Sequence, residues 1–337
     1  MIARSVLPAL AAVLLAALAP QPAAYAQSIQ PEAMAVRCEP VRLFRIGSDE
    51  TRFGPLEFVG GMTMTSGWSF GAFSAFRFTG PGSSFIGVAD TGSWYFGTIT
   101  RDAARRPECW SGFAMMPILG SDGKPLPDKA HADAEGLDVR DGIATASFER
   151  NHRITEYRLA PEAMGKPLRD LDFLVPRGEL RQNRGFETVA HAPKDGPLAG
   201  ARVAIAERSI DEAGNSFAAI LEGPRKGVFK VRRSDEFDIT DGAFLPGGDM
   251  LILERSFSFT SGVAMRLRRL KAETIRPGAV ADGPVLVEAD MGYDIDNMEG
   301  LDVWRRADGA LMVSIVSDDN RSLIQRNLYL EFRLTGE

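Results

Sequence analysis

Residues 297–320 read NMEGLDVWRRADGALMVSIVSDDN. Two apolar runs rich in strand-forming residues flank a turn at Ala307-Asp308-Gly309, which is the signature of an antiparallel hairpin. The first run opens on Glu299 and the second closes on Asp318 and Asp319. A hairpin folds its two open ends together, so Glu299 and Asp318, far apart in sequence, are expected side by side at one edge of a sheet.

The same unit recurs along the chain. AEGLDV from Ala134 is followed by the turn RDG and IATASFER; FETVAH from Phe186 by a longer turn and RVAIAER; TDGAFL from Thr240 by PGGD and MLILER; FSAFRF from Phe73 by TGPGS and SFIGVADTG. Taking Ser74, Glu135, Glu187, Asp241 and Glu299 as equivalent starts gives intervals of 61, 52, 54 and 58 residues. Further strand-like sequence follows each hairpin, as in HRITEYRL (152–159), SFAAILEG (216–223), VAMRLRRL (263–270) and RNLYLEFRL (326–334). A period of this length with about four strands per unit is the mark of a β-propeller. No amphipathic helix is evident, which disfavours alternating βαβ architectures. The last unit runs out after three strands, whereas VRLFRI (41–46) and LEFVGGMTM (56–64) precede the first unit without a hairpin of their own. The expectation is an all-β protein of five four-stranded blades, closed by N-terminal strands that cover the open edge. A sixth, degenerate blade is the alternative.

In a propeller the innermost strand of each blade begins beside the central channel on one face, and the second strand returns there. The hairpins therefore pair Ser74 with Asp90, Glu135 with Glu149, Glu187 with Glu207, Asp241 with Glu254, and Glu299 with Asp318 around one mouth. Such a ring of carboxylates needs compensation. Arg150, Arg208 and Arg255 each follow a strand-two glutamate, and a hard cation such as calcium, which takes six to eight oxygen ligands, suits the rest. A purely structural reading stands beside this one: glutamates that clasp neighbouring blades through backbone N–H groups and arginine forks.

The stretches GAFSAFRF, FIGVADTGSWY, DAEGLDV, GFETVA and NMEGLDVW with its following SDDN resemble the esterase-like phytase family, exported propellers related to calcium-dependent alkaline phytases. The resemblance covers essentially the whole chain after its first residues. It implies phosphoester hydrolysis and maps the family's acidic positions onto Asp90, Glu135, Glu187, Asp241, Glu299 and Asp318. Two departures stand out: Ala72 and Ala75 where the family has glycine, and Asp241 where it has glutamate.

The first 26 residues have the form of a secretory signal: Arg4, an apolar run over 6–19, and Ala24-Tyr25-Ala26 as a cleavage site. The run is too short to cross a bilayer and no second one follows. The expected mature protein is a single domain over 27–337, periplasmic or secreted, without a transmembrane anchor. In such a compartment Cys38 and Cys109 are expected to form a disulfide. The formal charge of −6 argues against a nucleic-acid partner. Gly67-Trp68-Ser69-Phe70-Gly71 matches the G-x-S-x-G pattern, but a strand follows where a serine hydrolase needs a helix. The histidines have no zinc-site spacing. Trp68, Trp94, Trp110 and Trp304 are read as packing between blades.

The function expected from these residues is calcium-dependent hydrolysis of a small phosphoester by a metal-activated water. Asp90, Glu135, Glu187, Asp241, Glu254, Glu299 and Asp318 are the candidate metal ligands. Arg150, Arg208 and Arg255 are the candidate phosphate contacts, and Glu149 or Glu207 the general base. The alternatives are a calcium-dependent lactonase or other ester hydrolase, with Asn297 and Asn320 among the ligands, and a non-catalytic propeller that binds a ligand or protein.

Overall fold

A computed structural model describes residues 29–336 apart from residue 323; the expected signal segment at 1–26 lies outside the described residues. Five antiparallel sheets form a five-bladed ring, with 3% of the described residues helical. Blade 1 is built from Phe73–Phe78, Ser84–Ala89, Ser93–Arg101 and Pro107–Pro117, and blade 2 from Ala134–Arg140, Ile143–Phe148, Arg153–Arg158 and Pro167–Leu171. Blade 3 comprises Phe186–His191, Arg202–Ile210, Ser216–Ile220 and Gly227–Val231, and blade 4 Asp238–Phe244, Met250–Ser258, Gly262–Leu270 and Val285–Ala289. Blade 5 supplies Asn297–Arg305, Leu311–Asp318 and Asn327–Leu334 and takes its fourth strand, Leu56–Thr65, from the N-terminal region.

The ring is thus closed as its missing strand predicts. Leu56 pairs with Leu334 and Met64 with Asn327, so both ends of the chain share one sheet. Arg37–Val41 adds an outer strand to blade 5, while Glu32–Ala33 pairs with the outer strand of blade 1. Cys38, in that outer strand of blade 5, is disulfide-bonded to Cys109 in the outer strand of blade 1. The bond staples the two blades that meet where the circle closes. Cross-linking residues 71 apart stabilises the fold by roughly 4 kcal/mol on chain-entropy grounds.

Apolar side chains from facing blades fill every interface of the ring, because each sheet is buried on both faces. The interface between blades 5 and 1 is the most aromatic, with Phe73, Phe76, Phe85, Tyr95, Trp110 and Phe113 in one cluster. Trp94, Trp110 and Trp304 are buried as expected. Trp68 is not: 86% of it is exposed, and its assignment to inter-blade packing is corrected.

Each innermost strand carries a β-bulge at its start, and the bulges fix what faces the mouth. Phe73 pairs with Ala89 and Ala75 with Val88, leaving Ser74 unpaired. The same break leaves Glu135, Glu187 and Glu299 unpaired in blades 2, 3 and 5. In blade 4 Ile239 pairs with Glu254 and Asp241 with Leu253, so the bulged residue is Thr240. A one-residue slip turns every side chain to the other face. Asp241 and Glu254 are therefore not at the mouth; Arg255 takes the place expected of Glu254, and Thr240 holds the bulge position with its hydroxyl donating to Met298 O.

Candidate metal and anion site at the channel mouth

The cup at the mouth has a volume of about 260 Å³. Its walls include Ser74 and Asp90 from blade 1, Glu135 and Glu149 from blade 2, Glu187 and Glu207 from blade 3, Arg255 from blade 4, and Glu299 and Asp318 from blade 5. Glu149 and Glu207 are set there by backbone bonds: their N–H groups donate to Asp133 O (2.8 Å) and Gly185 O (2.8 Å), just ahead of the inner strands. These residues share one mouth as the paired hairpin ends place them, blade 4 excepted.

Asp241 lies deeper, inside the channel. Arg77 from blade 1 binds it with both terminal nitrogens, Nη1 to Oδ2 at 2.7 Å and Nη2 to Oδ1 at 2.8 Å. The carboxylate also accepts the N–H groups of Leu301 (2.8 Å) and Gly242 (2.7 Å). The corresponding position is Gly136 in blade 2 and Gly300 in blade 5, where a Cβ would press on the next blade's inner strand, 2.5 Å from Glu187 O and 3.2 Å from Phe76 N respectively. Blade 4 instead uses that tight junction for a carboxylate that clasps blade 5. Glu254 is also buried, held by Arg266 (Nε–Oε2 2.7 Å) and Arg268 (Nη2–Oε1 2.6 Å) within its own blade. Neither has oxygen lone pairs facing the cup.

Of the three arginines, Arg150 and Arg255 line the cup and Arg208 does not. Arg208 points to Glu236 and Asp238 at 3.4 and 3.5 Å. Arg150 donates to Asp133 Oδ2 (2.6 Å), and Arg255 Nε lies 3.1 Å from Glu299 Oε1. Four further lining residues, Lys129, Asp133, Asn183 and Arg184, fall outside the repeated hairpins, in the segments that lead into blades 2 and 3. Lys129 bridges Asp90 (2.7 Å) and Asp133 (2.5 Å), and Arg184 Nη1 sits 2.8 Å from both oxygens of Glu207. Lys129 belongs to a one-turn helix capped by Asp128, a signal too short to be read as a helix. His131 in that turn bonds Asp128 Oδ1 (2.7 Å) and does not reach the cup.

Two sets of carboxylates are poised to hold a cation: Asp133, Glu135 and Glu149, and Glu149, Glu187 and Glu207, each set able to bring one oxygen per residue within 4.8 Å of the others. Glu149 belongs to both. Among the described residues Glu135 and Glu187 form no ion pair. Burial, reinforced by neighbouring carboxylates, holds both well above the usual glutamate range. Burial also raises Glu149 and Glu299 to about 7 and Asp318 to about 8. Burial pushes Glu207 up as well, against the opposing pull of Arg184 and Arg255. All-oxygen donors of this density suit a hard divalent cation.

The family profile "Phytase-like: Esterase-like activity of phytase" matches residues 69–321. The chain belongs to this phytase-like family. No curated protein matches it. Among solved structures, a PQQ-bound aldose sugar dehydrogenase from Streptomyces coelicolor is 11% identical over 90% of this chain and 99% of its own, with a TM-score of 0.42. A protein described as a gluconolactonase is 12% identical over 90% and 99%, with a TM-score of 0.40. A protein described as a glucose dehydrogenase from Thermus thermophilus is 14% identical over 88% and 100%, with a TM-score of 0.35. These distant likenesses say nothing about activity in the phytase-like chain. No helix among the described residues is long and apolar enough to cross a membrane.

Proposed function

We propose that this phytase-like propeller is an exported, calcium-dependent hydrolase of small phosphoesters. The observation that carries the reading is the pair of carboxylate sets sharing Glu149, in which Glu135 and Glu187 lack any ion-pair partner among the described residues. Glu135 and Glu187, one from each of the two sets that Glu149 joins, would hold the cation. A divalent ion bound there supplies charge neutralisation for a phosphate and a water of lowered pKa.

The chain's own residues divide the remaining tasks. Arg255 and Arg150 offer guanidinium donors into the cup, where they can orient a phosphate and spread charge over its oxygens. Of the two candidate bases Glu149 is the better suited. It accepts one backbone bond, from Gly185 N–H, and burial brings it to about 7, close to the operating range of a neutral enzyme. Glu207 has both oxygens engaged by Arg184. The polar walls of the cup favour a phosphate over a lactone, which would need an apolar pocket above the cation. Export is supported by the sequence of the first 26 residues and by the disulfide.

Thermal unfolding in excess EGTA, with and without calcium beyond the chelator, tests the cation site, since a ligand of the native state raises the melting temperature. The expected result is a calcium-specific rise that Glu187→Gln removes, together with calcium-dependent release of phosphate from phosphomonoesters. No shift at millimolar calcium would return the acidic cup to a blade clasp. A calcium shift accompanied by lactone cleavage alone would move the chain to the ester-hydrolase alternative.

A further inference from the structure

A second concavity, of about 340 Å³, lies beside the cup at the seam between blades 5 and 1. It is walled by Thr63 and Thr65 of the closing strand, by Trp68, and by Arg321 and Asn327 on either side of the blade 5 loop. The loop joins the two concavities: Asp318 and Asn320 face the cup, whereas Asp319 and Arg321 face the groove.

Two features of the groove have no use in the fold. Trp68 presents 86% of its surface to solvent, with the Arg321 guanidinium 5.9 Å from its ring centre, while the other three tryptophans are buried. Asn327 is 4% exposed; its Nδ2 donates to Asp319 Oδ2 at 2.8 Å, and its Oδ1 is a buried acceptor with no donor. An orphaned acceptor of this kind is destabilising unless something donates to it.

Two charges at the groove, the Asp319 carboxylate and the Arg321 guanidinium, form no ion pair among the described residues and offset each other in net charge. Arg326 is held by Asp294 and Asp296, and Asp319 accepts from Asn327 and from the Arg321 N–H. What remains for a ligand is an aromatic face flanked by the Arg321 guanidinium, two threonines and a lone amide oxygen, a combination that matches the C–H face and hydroxyls of a neutral sugar ring. We propose that this groove is a binding site for a neutral saccharide, with the ring stacked on Trp68 and a hydroxyl donated to Asn327 Oδ1. The inference does not depend on the cation chemistry of the cup.

Trp68 makes the test specific, because it is the exposed member of a set of otherwise buried indoles. The full mature protein, in EGTA, is titrated with glucose, galactose, maltose and cellobiose while tryptophan emission and its quenching by iodide are followed. The expected result is a saturable blue shift and loss of iodide quenching with at least one of these sugars. Trp68→Ala, an exposed substitution that leaves the fold intact, should abolish binding measured by calorimetry. Asn327→Leu should weaken it about tenfold; if that buried change fails to fold, Thr63→Val serves as the second probe of the polar wall. No saturable response to any of the four sugars overturns the proposal, as does calorimetric binding that survives Trp68→Ala. Because calcium is absent throughout, the outcome is separate from any hydrolytic result.

Discussion

Two carboxylates in one channel, Asp241 and Glu187, stand on neighbouring blades and meet opposite circumstances. Asp241 has both oxygens filled by the Arg77 fork and by two backbone N–H groups, and lies wholly out of water. Glu187 borders the cup, faces other glutamates, and has no cationic partner among the described residues. The first arrangement satisfies the buried charge within the fold; the second leaves the charge for something outside it. Identity of residue type along a ring therefore says less than whether each lone pair is already used.

The largest effect should separate these two residues. Arg77→Met leaves Asp241 as an uncompensated buried charge and removes donors to Phe76 O and Leu301 O. It is expected to cost about 3–5 kcal/mol in urea unfolding, with or without calcium. Glu187→Gln replaces a carboxyl that makes no ion pair among the described residues and that burial already holds toward its neutral form, so the calcium-free protein should be equally stable or more so. A Glu187→Gln protein as damaged as Arg77→Met would erase the distinction.

Cation removal gives the next effect. With calcium at a hundred times its Kd, stabilisation is about 2.7 kcal/mol by mass action. It should vanish in Glu135→Gln and Glu187→Gln and persist in Glu254→Gln, where Arg266 and Arg268 keep their pairs with Asp235 and Asp282. Calorimetric titration of the three variants measures it.

Acidity sharpens the comparison further. Burial raises Glu149 and Glu299 to about 7 and Asp318 to about 8 in the fold, above the ordinary value near 4.5 for glutamate and 3.8 for aspartate. The native state therefore holds protons that the unfolded chain releases first. Their contribution is fully present below the unfolded values and is lost as pH rises through 7 and 8. Calcium-free protein should lose melting temperature from about pH 5 to pH 8, and saturating calcium should flatten that slope. Calcium binding near pH 7 should release protons, which buffers of different ionisation enthalpy would detect.

Much of this was legible in the hairpins. Repeated strand–turn–strand units announced a propeller, the three-strand final unit announced N-terminal closure, and the paired ends of each hairpin placed Glu135, Glu149, Glu187, Glu207, Glu299, Asp90 and Asp318 at one mouth. Blade 4 misled because its Asp241-Gly242 imitates the Glu-Gly of blades 2 and 5 one residue out of phase. Only the bulge at Thr240 reveals the offset, and a bulge is a property of pairing that one strand's sequence does not carry. Lys129, Asp133 and Arg184 escaped notice because they come from connecting segments without a repeat to frame them. Trp68 sits in such a segment too, and an aromatic residue there reads as core until the surface is in hand.

Arg255 and Arg208 provide the finest cut, since both follow a strand-two glutamate in sequence. The slip in blade 4 turns Arg255 into the cup, 3.1 Å from Glu299 and 3.7 Å from Glu207, whereas Arg208 lies outside it among Glu236 and Asp238. Removing a charged donor from an anion site costs about 1.5–3 kcal/mol, so Arg255→Gln should weaken phosphate binding and phosphoester turnover roughly ten- to a hundredfold. Arg208→Gln breaks partly exposed, long ion pairs worth at most about 1 kcal/mol, and should leave phosphate inhibition unchanged. Inhibition by inorganic phosphate, measured on both variants at fixed calcium, decides the matter. Equal losses would mean that the anion is read by the general field of the mouth and not by the one arginine that the shifted register delivers to it.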